Sequence, residues 1–111
     1  MAEPRLIRVM ADYDCHPLWV PDFPEYNVSP DDPRLSLSPE LAQRLDRWAL
    51  EYDGILVRDD PASSAFPSEE AERAFIATGK ALARQLARER GPAWRVTYFD
   101  ETRAHRDITP A

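Results

Sequence analysis

The sequence predicts one two-layer α+β domain, two helices packed on a small sheet in the order β–long loop–α–(β)–α–β. Three observations carry that expectation. Two capped amphipathic stretches lie at 38–54 and 67–91, an apolar strand-like run lies near each end, and 111 residues suit a single core.

Arg5-Leu6-Ile7-Arg8-Val9-Met10-Ala11 reads as the first strand, β-branched and apolar enough to be largely buried, and it stops at Asp12. From Pro17 to Pro39, six prolines each fix φ and remove a donor, so regular structure is not expected there. Trp19, Val20, Phe23 and Tyr26 supply apolar anchors, which predicts an ordered wrap over the surface.

Ser38-Pro39-Glu40 is a helix start: Ser caps, Pro fits the first turn, and Glu meets the positive end of the helix dipole. Leu41, Leu45, Trp48, Ala49 and Tyr52 follow on one helical face. Glu40–Arg44 and Arg47–Glu51 are four apart on the outer side, and Asp53-Gly54 closes the helix. Ile55-Leu56-Val57 fits either a short strand or a loop that plugs the core.

Pro67-Ser68 opens a second helix with Glu69, Glu70 and Glu72 in its first turn; Arg84, Arg88 and Arg90 gather before Gly91-Pro92. Ala71, Phe75, Thr78, Leu82 and Leu86 form the expected buried stripe. Arg95-Val96-Thr97-Tyr98-Phe99 alternates as a strand. Two strands alone are marginal, so a third from Ile55–Arg58 or from the Pro-rich loop is expected, while residues 1–4 and 101–111 are expected to fray.

The formal net charge is −6, unevenly spread. Residues 1–60 hold 13 acidic and 6 basic side chains (net −7), and residues 61–111 hold 7 and 8 (net +1). Nucleic-acid affinity needs Lys and Arg against phosphates, so this balance argues against nucleic acid and suits a basic protein partner. No apolar run approaches the roughly 18 residues of a membrane span, and Leu6–Met10 is too short for a signal peptide. A cytoplasmic chain without membrane contact is the expectation. The single cysteine, Cys15, excludes an internal disulfide.

Two loop motifs flank the first helix and are where a site is expected. One is Asp12-Tyr13-Asp14-Cys15-His16-Pro17-Leu18-Trp19, the other Arg58-Asp59-Asp60-Pro61-Ala62-Ser63-Ser64-Ala65-Phe66. Carboxylates with an imidazole are hard-metal ligands, so Asp12, Asp14, His16, Asp59 and Asp60 could serve a small metal-dependent hydrolase. Against that, no metal-binding spacing, Gly-rich phosphate cradle or nucleophile elbow is present, and Asp before Pro or Ser is ordinary turn chemistry. Cys15 and His16 are adjacent and point apart on an extended chain, which disfavours a nucleophile–base pair.

The first run, Leu37-Ser38-Pro39-Glu40-Leu41 and Asp59-Asp60-Pro61-Ala62-Ser63-Ser64-Ala65-Phe66-Pro67-Ser68 resemble a group of small, mostly uncharacterised actinobacterial proteins over roughly residues 10–99. The resemblance implies a bacterial cytoplasmic protein. Small acidic proteins of this composition include immunity partners of secreted toxins.

The reading is therefore a non-enzymatic protein-binding module of the immunity kind, with the hydrolase as its alternative. Asp12, Asp14, His16, Asp59 and Asp60 form the binding surface, Trp19 is its anchor, and the partner is a basic protein. No catalytic or metal residue and no cofactor are assigned. A homodimer through Ala71, Ala74, Gly79 and Ala83 of the second helix is a further option, since small residues allow close approach.

Overall fold

The computed structural model describes residues 3–56, 59–60, 65–99 and 105–108. Strands β1 (Arg5–Val9), β2 (Leu18–Trp19) and β3 (Asn27–Val28) precede helices α1 (Pro39–Asp53) and α2 (Glu69–Arg90). A 3-10 turn (Gly91–Ala93), β4 (Trp94–Phe99) and β5 (His105–Ile108) follow. The sheet order is β3-β2-β1-β4-β5. β1 and β4 run parallel from Arg5↔Trp94 to Val9↔Tyr98, because both helices intervene in the chain between them; the other pairs are antiparallel. The expected two-layer α+β domain is what forms.

The Pro-rich segment, one of the two expected sources of a further strand, supplies β2 and β3, so its prolines do not exclude regular structure. Its prolines bracket these two-residue strands rather than interrupt them, with Pro17 before β2, Pro21 and Pro24 in the connection, and Pro30 after β3. In the other proposed source of a third strand, Ile55 and Leu56 are not strand, and Val57 and Arg58 lie outside the described residues. Within the tail, the described residues 105–108 form β5. β5 pairs with β4 from Val96↔Ile108 to Phe99↔His105, covering an edge that would otherwise present open backbone groups.

Both helix starts follow their capping residues. Ser38 Oγ accepts from Leu41 N at 3.2 Å, and Ser68 Oγ accepts from Ala71 N at 3.0 Å. Ser38 is also tied to the far end of α2, its N–H and hydroxyl donating to Glu89 at 2.8 and 2.7 Å. Burial pushes the Glu89 carboxyl up, but these bonds and one from Gln85 hold it below its ordinary value. At α1's end Gly54 keeps a right-handed backbone (φ −65°), so glycine is not required there, whereas Gly91 takes φ 70°.

The core lies between the helices and one face of the sheet. Ile7, Val9, Leu18, Val28, Val96 and Tyr98 meet Leu41, Leu45, Trp48, Phe75, Leu82 and Leu86, all buried. Thr78, placed on the expected stripe of α2, is exposed, and Gly79 and Ala83 are buried instead. The small residues are the reason: they seat α2 against Trp48 and Tyr98. Of the small residues named for a homodimer face, Gly79 and Ala83 are enclosed within the chain, Ala71 is half-buried and Ala74 is exposed.

A Cβ at Gly79 would lie 2.5 Å from Trp48 Cζ2 and 2.7 Å from Tyr98 Cε2. Alanine gains about 1 kcal/mol of helix propensity over glycine, but overpacking two rigid rings costs about 1–3 kcal/mol. The packing term wins. Gly79→Ala is expected to lose up to about 2 kcal/mol net, seen as a lower denaturant midpoint at unchanged slope.

The wrap between β2 and α1 is held by alternating arginines and rings. Phe23 lies between Arg5 (5.2 Å) and Arg34 (4.1 Å), and Trp94 between Arg5 (5.2 Å) and Arg90 (5.7 Å). Arg34 is fixed in turn by Asp32 at 2.8 Å and Glu25 at 3.1 Å, and its hydrogen bonds hold the Asp32 carboxyl below the usual range. The ordered wrap expected from its aromatics is present.

Candidate functional site

The loop after β1 is closed by local bonds that leave its charges outward. Met10 N donates to Pro17 O at 3.0 Å, and Asp12 Oδ1 accepts from Tyr13 N at 2.8 Å. Asp14 sits in the left-handed region (φ 59°), a conformation Asp tolerates, and its N–H donates to Asp53 Oδ1 at 2.9 Å. His16 is clamped through its backbone, its N–H donating to Asn27 Oδ1 at 2.9 Å and its carbonyl accepting from Asn27 Nδ2 at 2.7 Å. Asp12, Asp14 and His16 are exposed, while Tyr13 and Cys15 between them are half-buried.

The two motifs meet through one residue of α1. Tyr13 stacks on Tyr52 (centroids 4.6 Å apart, 21° between planes), and Tyr52 touches Phe66 at 6.3 Å. Phe66 packs on Phe75 at 5.0 Å, which joins this aromatic chain to the core. Asp59 and Asp60 are exposed; Arg58 and residues 61–64 of the second motif lie outside the described residues.

Trp19 is placed differently from an exposed anchor. It is half-buried, its Nε1 donates to Met10 O at 3.0 Å, and its ring meets Tyr26 edge-on at 5.2 Å. Strand alternation explains this. Leu18 points to the helices, so Trp19 lies on the opposite sheet face beside its register partner Arg8.

A residue the sequence did not mark stands out instead. Leu50 is 66% exposed on the outer face of α1, four residues after Asp46 and three before Asp53. Burial, then the nearby charge of Asp31, push the Asp46 carboxyl above its ordinary value, while His16 acts in the opposite direction. Leu50 falls off the Leu41/Leu45/Trp48/Tyr52 stripe, so position alone reads it as one more solvent-facing residue.

The opposite flank of α1 carries Arg44 and Arg47, facing α2. Arg44 is not engaged with Glu40 as spacing suggested; its Nη1 donates to Gln85 Oε1 across the helix pair at 2.7 Å. No ion pair to Arg47 is found among the described residues, although Glu51 lies one turn on.

Cys15 is unsuited to nucleophilic work. Burial and then the charges of Asp12, Asp53 and Asp14 raise its thiol above the ordinary value, so it stays protonated at neutral pH. Among the described residues no three His, Cys, Asp or Glu side chains gather as a ligand set, which leaves the hydrolase alternative without the cluster it needs. No helix among them is long and apolar enough to cross a membrane.

A family model described as Serratia CdiI immunity protein-like matches residues 5–101, which span every element from β1 to β4. The chain belongs to that family. No curated protein matches it. As a CdiI-like immunity protein, it is a non-enzymatic protein-binding module, and the partner of such a module is a toxin protein. For the CdiI-like chain, the loop end and outer face of α1 combine charge with an apolar contact.

Proposed function

We propose that this CdiI-like immunity protein holds its toxin through the acidic end of the domain, and that the toxin's contact surface is basic. Asp12, Asp14, His16, Asp59 and Asp60 supply the rim, with Asp46 and Asp53 continuing it along α1. The observation that carries the reading is the exposed Leu50 set between Asp46 and Asp53, with Asp14 joined to Asp53 by a 2.9 Å bond. An apolar centre within a charged rim is the anatomy of a protein interface. Trp19 supports the loop from beneath through its bond to Met10 O. The encounter takes place in the cytoplasm, where the toxin would act on the cell that makes this protein.

The test is association kinetics of the toxin with the wild-type chain and with Asp59→Lys, at low and high salt. A rim charge acts mainly on encounter, so Asp59→Lys is expected to slow the on-rate about threefold to tenfold, with the gap closing at high salt. An on-rate that ignores both salt and the substitution removes the acidic rim from the mechanism.

A further inference from the structure

A cavity of about 120 Å³ opens between α1 and α2, lined by Arg44, Arg47, Trp48, Glu51, Thr78 and Leu82. Its floor is apolar: Trp48 is 2% exposed and Leu82 1%. Its rim is polar and cationic. Arg44 is fixed across the cleft by its 2.7 Å bond to Gln85, so its guanidinium is pre-positioned rather than free to wander. Arg47, Glu51 and Thr78 are exposed at the mouth, and the lining charges sum to +1 (Arg44 and Arg47 against Glu51). That sign is opposite to the net −7 of the first sixty residues in which α1 lies.

We propose that this cleft is a carboxylate-binding subsite that takes an acidic side chain, the methylenes lying on Trp48 and Leu82 and the carboxylate on Arg47 and Thr78. Two features favour an acidic side chain over a cation. The cleft is shallow, with the Trp48 ring and Leu82 at its floor, which suits a short aliphatic stem. Arg47, whose guanidinium has no ion pair among the described residues, presents the planar donor pair that a carboxylate matches. That the side chain comes from the toxin rests on the proposed function; the subsite itself does not. In the complex it would set orientation, since a partner that is basic over the Asp46 flank would also have to be acidic over the Arg47 flank. A partner of uniform charge would then be rejected on one side.

The test uses the full chain with N-acetylglutamate as probe and N-acetylglutamine as its neutral isostere, read by ¹H–¹⁵N NMR. The expected result is a saturable millimolar shift at Arg44, Arg47 and Thr78 with the acid and none with the amide. Arg47→Gln is expected to weaken the acid about tenfold, and Glu51→Gln to tighten it about threefold by removing the one like charge. The Trp48 indole resonance, bonded to Phe75 O, reports that both variants keep the fold. Equal shifts from acid and amide, or shifts spread over Arg5 and Arg34, overturn the subsite. So does tightening that fails to appear in Glu51→Gln. Probe binding without toxin binding overturns the toxin assignment and leaves the subsite standing.

Discussion

Trp48→Ala is expected to remove about 3–5 kcal/mol of stability, the cost of deleting a large buried aromatic. Trp48 is 2% exposed and sits where α1, α2 and the sheet converge. Its ring stacks on Phe75 (4.6 Å, 10°) and meets Tyr98 at 6.2 Å, and its Nε1 donates to Phe75 O at 3.0 Å. Truncation removes those contacts together and leaves Gly79, already without a side chain, facing a void. The site resists collapse, because its neighbours Phe75 and Tyr98 are rigid rings. Against a domain stability of about 5–15 kcal/mol, the loss is about a fifth or more of the total. Thermal unfolding should fall by about 12–20 °C for a chain of this size. Trp48→Phe keeps a ring against Phe75 and loses the bond and part of the volume, so it should cost about half as much. A loss below about 1 kcal/mol for the alanine variant would mean that the helix pair does not close over Trp48.

The helices were legible because their signals are local. Ser38 and Ser68 cap where their spacing placed them, and the Leu41/Leu45/Trp48 stripe is the buried one. What escaped were features whose cause lies far away in the chain. The bond from Ser38 to Glu89 spans 51 residues, and the Arg5–Phe23–Arg34 stack joins a strand to a loop. β2 and β3 are two residues each, too short to show a period. α2's stripe was misplaced at Thr78 because apolar periodicity undervalues glycine, whereas close helix packing required Gly79.

The site was legible in part, for the same reason. Asp12, Asp14 and His16 are exposed and Tyr13 and Cys15 half-buried, but the chain achieves this through a turn with Asp14 at φ 59° rather than through an extended run. That Tyr52 would carry the stack from Tyr13 to Phe66 did not follow, since its place on the helical stripe already gave it a core role. Trp19 and Leu50 exchanged parts. Strand pairing turned the tryptophan toward its own loop, while helix geometry turned the leucine outward.

Leu50 therefore carries the largest expected effect on binding. At 66% exposure it contributes little to folding, and either substitution at this position should change stability by no more than about 0.5 kcal/mol. Leu50→Ala removes the apolar contact alone and is expected to weaken the toxin complex about fivefold to tenfold, or roughly 1 kcal/mol. Leu50→Lys also sets a positive charge against the basic surface proposed for the toxin. Its expected loss is about a hundredfold, or roughly 2.7 kcal/mol. The kinetic division separates centre from rim. A desolvated anchor acts on the off-rate, so Leu50→Ala should shorten the lifetime of the complex at an unchanged on-rate, the converse of Asp59→Lys. Leu50→Lys binding within twofold of wild type would place the contact away from α1. The converse pattern, a normal off-rate with a slowed on-rate in Leu50→Ala, would make α1 a steering surface rather than the seat of the toxin.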